Sequence, residues 1–447
     1  NWQGIKHSLR LRLLEFARRD PETMSAAELR ANLGELRKLF LEGAIQHFIQ
    51  QPASMVPVAD WVRRTRERTS APTSDIIAVL QNCRFGLADC VHMIDELVGR
   101  LRSNARIVDL IRDQKIHPAV RLEMLRRASP EIERHLNAYM DEYGDRIVTG
   151  FDIVDSTLRE LPGCTLSLIL SRLDRPARHD SVAFSQSAEA KLRERLSGSA
   201  LTEFEDGLAE AKAAYGLHDE DVRTTYLWPL GLMRRFILAA AGRLLSRGAL
   251  HTREDVFHTT PDELESLLTG ASSPCPDEIA RRTEEWRAWS EAEPVLTFGE
   301  RRPSLDDGQL GESCARITSA ILFYLAEMEG REKYAIEVSS THMLQGLAAS
   351  PGCYEGRARI VRSPADLAKV SVGDVLVAQT TSPAYNVILP AVGAVVTDRG
   401  GVLCHAAIIA REFSVPAVVG LNQATLRIPD GAHVLVDGDH GFVAIRS

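Results

Sequence analysis

Within residues 396–420 stand Arg399, Gly400, Gly401, Cys404, His405, Arg411 and Pro416, the densest set of chemically able side chains in the sequence. The residue with most to offer is His405, because a neutral imidazole nitrogen is a nucleophile toward phosphorus. The pattern reads as a strand ending in a Gly-Gly turn that delivers His405 to the first turn of a short helix over 406–413, stopped by Pro416. Backbone amides at a helix start lack internal partners and the helix dipole is positive there, so a phosphate on the His405 ring would lie among donors. Gly400 and Gly401 allow a sharp turn and close approach. Arg399 and Arg411 are placed for charge-assisted contacts to phosphate. A histidine met alone in such a place is more often an ordinary helix-start residue with a satisfied ring.

The rest of the chain must position that stretch. Up to about residue 330 it reads as successive helices, with apolar residues at three- and four-residue steps over 26–48, 73–101 and 188–215. Ser25 ahead of Glu28 predicts a capping box. Pro130 after Ser129 marks a helix start and Gly216 a stop. Residues 272–303, rich in Pro, Ser and charge, read as a surface excursion, with Trp286 and Trp289 as a core anchor. From Gly346 the pattern changes. Ser350, Pro351 and Gly352 break the chain, and short Val- and Ile-rich runs at 358–361, 375–378, 394–397, 417–419 and 433–436 read as strands between glycine turns. The expected fold is multidomain: a large all-α domain over 1–345, then a small α/β domain over 346–447.

Composition excludes several classes. The 447 residues are 45% hydrophobic and 26% charged with net charge -8, which excludes collagen-like and disordered chains and argues against a nucleic-acid binder. From Pro351 onward there are eight basic and eight acidic residues, so the acidic excess lies in the first 350. No apolar run reaches membrane-span length, and Arg10, Arg12, Arg18 and Arg19 interrupt any signal-peptide core. The seven cysteines are scattered without a CxxC, pointing to a reduced cytoplasmic protein with neither a disulfide framework nor a metal site. A start at Asn1 rather than Met suggests a fragment or a processed chain.

The stretch from Cys404 to Glu412, followed by Pro416 to Gly420, resembles the phosphohistidine motif of the PEP-utilising enzymes, the swivelling domain shared by phosphoenolpyruvate synthase, pyruvate phosphate dikinase and rifampin phosphotransferase. The resemblance extends over about 346–443 and takes in Ser350-Pro351-Gly352, Gly356, Gly373-Asp374 and the loop Thr381-Ser382-Pro383. It implies a small swivelling α/β domain of the β/β/α type with His405 as the phosphorylated residue, and Cys404 as a bystander. Where synthases and dikinases place a regulatory threonine two positions before the histidine, this chain has Leu403, which cannot accept a phosphate. After His405 too few residues remain for the pyruvate-binding barrel of the synthase. Neither a P-loop nor a lysine-bearing ATP-grasp segment is visible. The histidine is therefore expected to be charged from outside the chain.

The helical part resembles, more diffusely, the substrate-binding domain of the rifampin phosphotransferase type. Tyr143-Gly144-Asp145-Arg146 with Asp152-Ile153 carries that likeness, as do Asp221 to Arg223, Gly231 to Arg235, Gly242-Arg243-Leu244 and Asp255-Val256-Phe257. Arg146, Arg223, Arg234 and Arg235 are the candidates on the acceptor side, although by spacing alone they read more often as solvated or salt-bridged helix residues, and the resemblance brings the two readings level. His218, His251 and His258 offer a general base, yet each singly reads as structural, as do His433 and His440.

The implied function is that of a phosphotransferase part. His405 takes phosphate, by the resemblance the β-phosphate, from ATP held with Mg²⁺ on an ATP-grasp domain or subunit. It passes it to a small molecule in the helical domain, the last domain swinging on a linker around 345–350 across a modest, polar contact. Two alternatives stay open: activation of an acid or alcohol for condensation or elimination in natural-product biosynthesis, and a non-catalytic phosphocarrier subunit. No nucleic acid or membrane partner is expected.

Overall fold

The structure is a computed structural model and describes residues 2–81, 87–174, 181–215, 217–291, 299, 311–330, 342–362, 364–382, 385–386, 388–446. The helices that frame the site are α1 (Trp2–Ala17), α2 (Ala26–Thr69), α3 (Pro130–Tyr143), α4 (Pro162–Asp174), α5 (Ser199–Tyr215), α6 (Trp228–Ser246), α7 (Glu312–Glu329) and α8 (His405–Glu412). Among the described residues no helix is long and apolar enough to cross a membrane.

α2 begins with the expected capping box: Ser25 Oγ accepts from the Glu28 amide, and the Glu28 carboxylate accepts from the Ser25 amide at 2.7 Å. It then runs to Thr69, well past residue 48, through Pro52 and Pro57. An internal proline costs a helix roughly 3 kcal/mol, and packing of α2 against α5, α6 and α7 offsets that cost. Conversely, 73–101 divides into Thr73–Ile77, a tight turn Ala78–Leu80 and a helix Leu87–Leu101. The segment 188–215 divides near Gly198, whose φ is +57°, into Ser181–Arg193 and α5. Gly216 lies outside the described residues. In place of the expected surface excursion, Pro276–Glu291 is helical, and Trp286 and Trp289 are 44% and 79% exposed, so neither anchors a core.

Eight strands form one sheet: β1 (Met343–Gln345), β2 (Leu347–Ser350), β3 (Cys353–Val361), β4 (Val375–Ala378), β5 (Ala394–Thr397), β6 (Ala417–Val419), β7 (His433–Asp437) and β8 (Phe442–Ile445), in the order β1-β8-β7-β3-β4-β5-β6-β2. β3 to β6 are mutually parallel and the flanking pairs antiparallel. Val375, Val377, Val396 and Val418 fill one face together with Val434 and Val436. Leu376, Ala378, Val395 and Val419 fill the other, beneath Ala406, Ala407 and Ile409 of α8. Burial on both faces explains why the central strands are continuous apolar runs. The fold is thus a large helical part followed by a small mixed α/β part.

Two expectations change. Residues 345–350 are not a linker, since β1 pairs with β8 and β2 with β6. A Cβ on Gly346 would meet the Val419 carbonyl oxygen at 2.6 Å. The strand-bearing part therefore begins by Met343, and its link to α7 falls in 331–341, outside the described residues. Nor is the contact between the two parts modest and polar. One buried apolar cluster runs from Ile77, Leu80, Leu166 and Tyr324 into Leu347, Leu376, Leu403 and Ile409. Around it, Gln81 Nε2 donates to the Arg411 carbonyl at 2.7 Å and Ser171 Oγ to the Pro390 carbonyl at 3.1 Å.

The Gly-Gly turn is part of this seam. The amides of Gly401 and Leu403 donate to the Met328 and Glu327 carbonyls at 2.8 and 3.3 Å, capping the C-terminal end of α7. A Cβ on Gly401 would stand 2.0 Å from the Glu327 carbonyl oxygen. Gly401→Ala is therefore expected to lift the turn off α7. Hydrogen exchange checks this: the Leu403 amide should exchange faster by about tenfold, the equivalent of one lost hydrogen bond, while amides of β4 and β5 stay protected.

Candidate functional site

Parallel strands β4 and β5 end in register, Ala378 opposite Thr397, so the segments that leave them emerge side by side. The first carries Thr381 and Asn386 and the second leads to His405. After β5, Thr397 Oγ1 donates to the Arg399 carbonyl at 2.8 Å. Gly400 then takes φ +115°, a value that favours glycine, and Cys404 stands extended as the N-cap of α8. His405 is the first helical residue, and its ring is held at both nitrogens. Nδ1 lies 2.8 Å from Thr381 Oγ1 and Nε2 lies 2.8 Å from Asn386 Oδ1.

Both partners are neutral, and Thr381 and Asn386 are buried while His405 is partly exposed. A hydroxyl can donate or accept, and a carboxamide offers an acceptor end and a donor end, so the pair accommodates either neutral tautomer of the ring. Such a ring can present a lone pair to phosphorus.

The helix-start amides and the Gly-Gly turn are not arranged around the ring as expected. Gly401 is engaged with α7. The amides of Ala406 and Ala407 favour the charged form of the Cys404 thiol, although its sulfur makes no capping hydrogen bond. Burial nonetheless outweighs them and pushes the Cys404 thiol up, which suits a bystander rather than a nucleophile. Arg411 is 3% exposed and donates to the Ala349 carbonyl at 2.8 Å and to the Val402 carbonyl. It braces the loop from beneath and does not face a phosphate. Arg399 is exposed and has no side-chain partner among the described residues, so it keeps its candidacy.

Three of the helical-part arginines turn inward. Arg234 forms a bidentate pair with Glu160, both bonds 2.8 Å, and donates to the Ile153 carbonyl at 2.9 Å. Arg235 reaches Asp145 at 2.5 Å and the carbonyls of Phe16, Ala17 and Arg19. Arg146 donates to the Glu142 carbonyl and carboxylate, and its guanidinium lies 4.3 and 4.8 Å from the Tyr143 and Trp228 ring centres. In this arrangement they bind the helical part together and do not wait for an acceptor, because internal carboxylates already fill their donor forks. Arg223 is buried in the wide turn Arg223–Leu227 that leads into α6. Among the histidines, His251 bonds Asp277 at 2.8 Å and His440 bonds Asp437 at 3.0 Å. His258 lies 5.5 Å from the Trp286 ring and burial lowers its pKa. The His218 side chain is outside the described residues.

The residue that sequence reasoning missed is Asn386, which follows the named loop by a few positions but matches no motif. Thr381 was visible only as part of that loop, whose Pro383 lies outside the described residues. The helical part approaches here through Asp155. Burial pushes the Tyr385 phenol up, and the Asp155 charge adds to that effect. Burial likewise raises the Asp155 carboxyl, against hydrogen bonds from the Asp152 amide and Thr149 hydroxyl.

Burial alone would raise the Glu160 carboxyl, but the Arg234 bonds and the Thr157 amide outweigh it and hold it below its ordinary value. Its stabilising share is present above the ordinary carboxylate range and is lost as pH falls through the lowered value. Arg234→Ala is expected to cost about 1–3 kcal/mol at neutral pH, the range for a buried group stripped of its partner. The deficit should shrink in acid, as chemical denaturation at two pH values would measure.

Residues 370–441 match the family model of the PEP-utilising enzyme mobile domain, and residues 47–217 that of the rifampicin phosphotransferase fourth domain. The rifampicin phosphotransferase of Streptomyces sviceus is 30% identical over 339 residues, covering 70% of this chain and 34% of that protein. The uncharacterized phosphotransferase YvkC of Bacillus subtilis is 28% identical over 323 residues, covering 70% of this chain and 36% of its own. A probable phosphoenolpyruvate synthase of Archaeoglobus fulgidus is 43% identical over 115 residues, 26% of this chain and 15% of that protein. The chain spans about a third of the length of the first two relatives. The part that carries His405 thus matches the mobile domain of the PEP-utilising enzymes, and along its helical part the chain resembles the rifampicin phosphotransferases.

Proposed function

We propose that this chain is the acceptor and carrier part of a phosphotransferase, with His405 as the residue that bears the phosphoryl group. The observation that supports this most is the seat of the His405 ring: partly exposed, at the start of α8, bonded at both nitrogens by neutral side chains. In this reading ATP and its Mg²⁺ belong to an ATP-grasp domain or subunit, and the acceptor to the helical part. The cytoplasm supplies ATP and suits the free cysteines Cys164, Cys275, Cys314, Cys353 and Cys404.

The chemistry is three displacements at phosphorus. A ring nitrogen of His405 forms a bond to the β-phosphorus as its P–O bond to AMP breaks. Water then takes the γ-phosphoryl group as inorganic phosphate, breaking the second P–O bond and leaving one phosphoryl group on the ring. An oxygen of the acceptor then forms a bond to the same phosphorus as the N–P bond breaks, and the electron pair returns to the ring. Little covalent work falls to other side chains, so positioning carries most of the catalysis. Thr381 serves that end by fixing the ring through Nδ1, and the exposed Arg399 is free to meet phosphoryl oxygens.

His405→Ala is expected to abolish an acid-labile, base-stable label from ATP labelled at the β-phosphate, supplied with an ATP-grasp partner, while circular dichroism stays unchanged. Equal label on the variant would overturn the assignment. The products divide the remaining readings. A phosphorylated small molecule supports simple transfer, a condensed or eliminated product with free phosphate supports activation, and label that never leaves the protein supports a carrier subunit.

A further inference from the structure

Resting on that reading of His405, we propose that Asn386 is a two-position switch: its carboxamide caps the reactive nitrogen of the resting ring, then turns its NH₂ group to hold the phosphoryl group. Asn386 is 5% exposed, and its Oδ1 sits 2.8 Å from His405 Nε2. Its Nδ2 is buried with no partner among the described residues, and so is Ser382 Oγ beside Thr381. A buried amide left unsatisfied costs about 1–3 kcal/mol, and native proteins rarely keep one without a use. Two neutral donors without partners, one on a side chain that bonds the ring and one next in sequence to the other, are the complement of phosphoryl oxygens, each a strong acceptor.

The resting state follows from the donors. With Oδ1 toward Nε2, the Nε2 proton is donated to Asn386 and the Nδ1 lone pair accepts from Thr381 Oγ1. Neither nitrogen is then free to attack. Turning the carboxamide by half a revolution removes the acceptor at Nε2. The ring proton then resides on Nδ1, donated to Thr381 Oγ1, and the Nε2 lone pair accepts from Asn386 Nδ2 until that donor passes to the oxygens of the incoming phosphoryl group. Nε2 forms the bond to phosphorus as the P–O bond to the leaving group breaks, with that electron pair passing to the departing oxygen. The ring sheds its extra charge by losing the Nδ1 proton to solvent, and Nδ1 accepts from Thr381 once more. Asn386 Nδ2 and Ser382 Oγ now donate to the phosphoryl oxygens, and both unsatisfied groups are paired.

The test uses the whole chain with ¹⁵N-labelled histidine and phosphoramidate as a small phosphoryl donor, so no ATP-binding partner is needed. In the unphosphorylated protein, ¹⁵N shifts should report His405 with its proton on Nε2. In Asn386→Leu, close in volume but without hydrogen bonds, that preference should disappear, and the phosphohistidine should hydrolyse about three- to tenfold faster, as one lost hydrogen bond implies. Asn386→Asp, which keeps the acceptor but has no NH₂ and favours the charged ring, should hold the Nε2 proton yet slow labelling. It also serves if the leucine variant does not fold. An unchanged tautomer together with an unchanged hydrolysis rate in Asn386→Leu, or labelling of Asn386→Asp at the wild-type rate, would overturn the switch while leaving His405 as carrier. Label that survives His405→Ala would instead sink the carrier reading, and this proposal with it.

Discussion

The hydrogen-bonded seat of His405 is the contact to which the rest of the structure answers. A phosphoryl-accepting imidazole needs a lone pair and a fixed direction at once. A carboxylate partner would favour the charged ring, and an ammonium partner would compete for the lone pair. A hydroxyl and a carboxamide leave the ring neutral, and each can turn between donor and acceptor. Bringing Thr381 and Asn386 to opposite nitrogens of one ring requires two chain segments to leave the sheet together. Parallel β4 and β5, adjacent and in register, release both segments at their carboxyl ends, the usual place for a site in such sheets. Continuous apolar strands, burial on both faces and the extended N-cap at Cys404 follow from that requirement.

The second constraint is where that edge points. The loop before His405 is pinned to the end of α7 through Gly401 and Leu403, and an apolar cluster continues across the seam. Mobile domains usually meet through modest, polar surfaces. This seam must expose apolar area and free two backbone hydrogen bonds before His405 can travel. The arrangement is therefore a closed one with its own stability, and under the proposed transfer any docking on the ATP side has to offset that cost. The absence of side chains at Gly400 and Gly401 serves this docking, whereas the sequence suggested a phosphate cradle. Glycine signals only that backbone comes close, not what it comes close to.

That distinction also marks how far the sequence was legible. Five of the eight strands stood out because both faces are buried and the runs are short and β-branched. β1 and β2 did not, since Met343, Gln345 and Ser350 lack that composition and are recruited by pairing alone, whereas β8, Phe442–Ile445, has it and was not singled out. α2 defeated its two prolines because tertiary packing, which periodicity cannot see, carries it onward. His405 was legible through the motif around it. Asn386 was not, because its importance arises from a contact 19 residues apart in sequence and created only by the sheet register. The arginines misled for a related reason: an Arg-rich helix looks alike whether its forks meet a ligand or an internal carboxylate.

The inward turn of those arginines leaves a charge pattern that bears on how the proposed transfer proceeds. Arg146, Arg234 and Arg235 are neutralised by Glu142, Glu160 and Asp145 within the helical part. What that part presents near Tyr385 is Asp155, with its carboxyl raised by burial. A phosphoryl group on His405 would thus sit among neutral donors, with no tight cationic clamp among the described residues. A clamp of several arginines would stabilise the ground state of the phosphohistidine as well as the transition state, and uniform stabilisation does not speed transfer. Neutral donors hold the group in line without deepening that well. Such a seat suits a carrier, which must accept a phosphoryl group and still give it up.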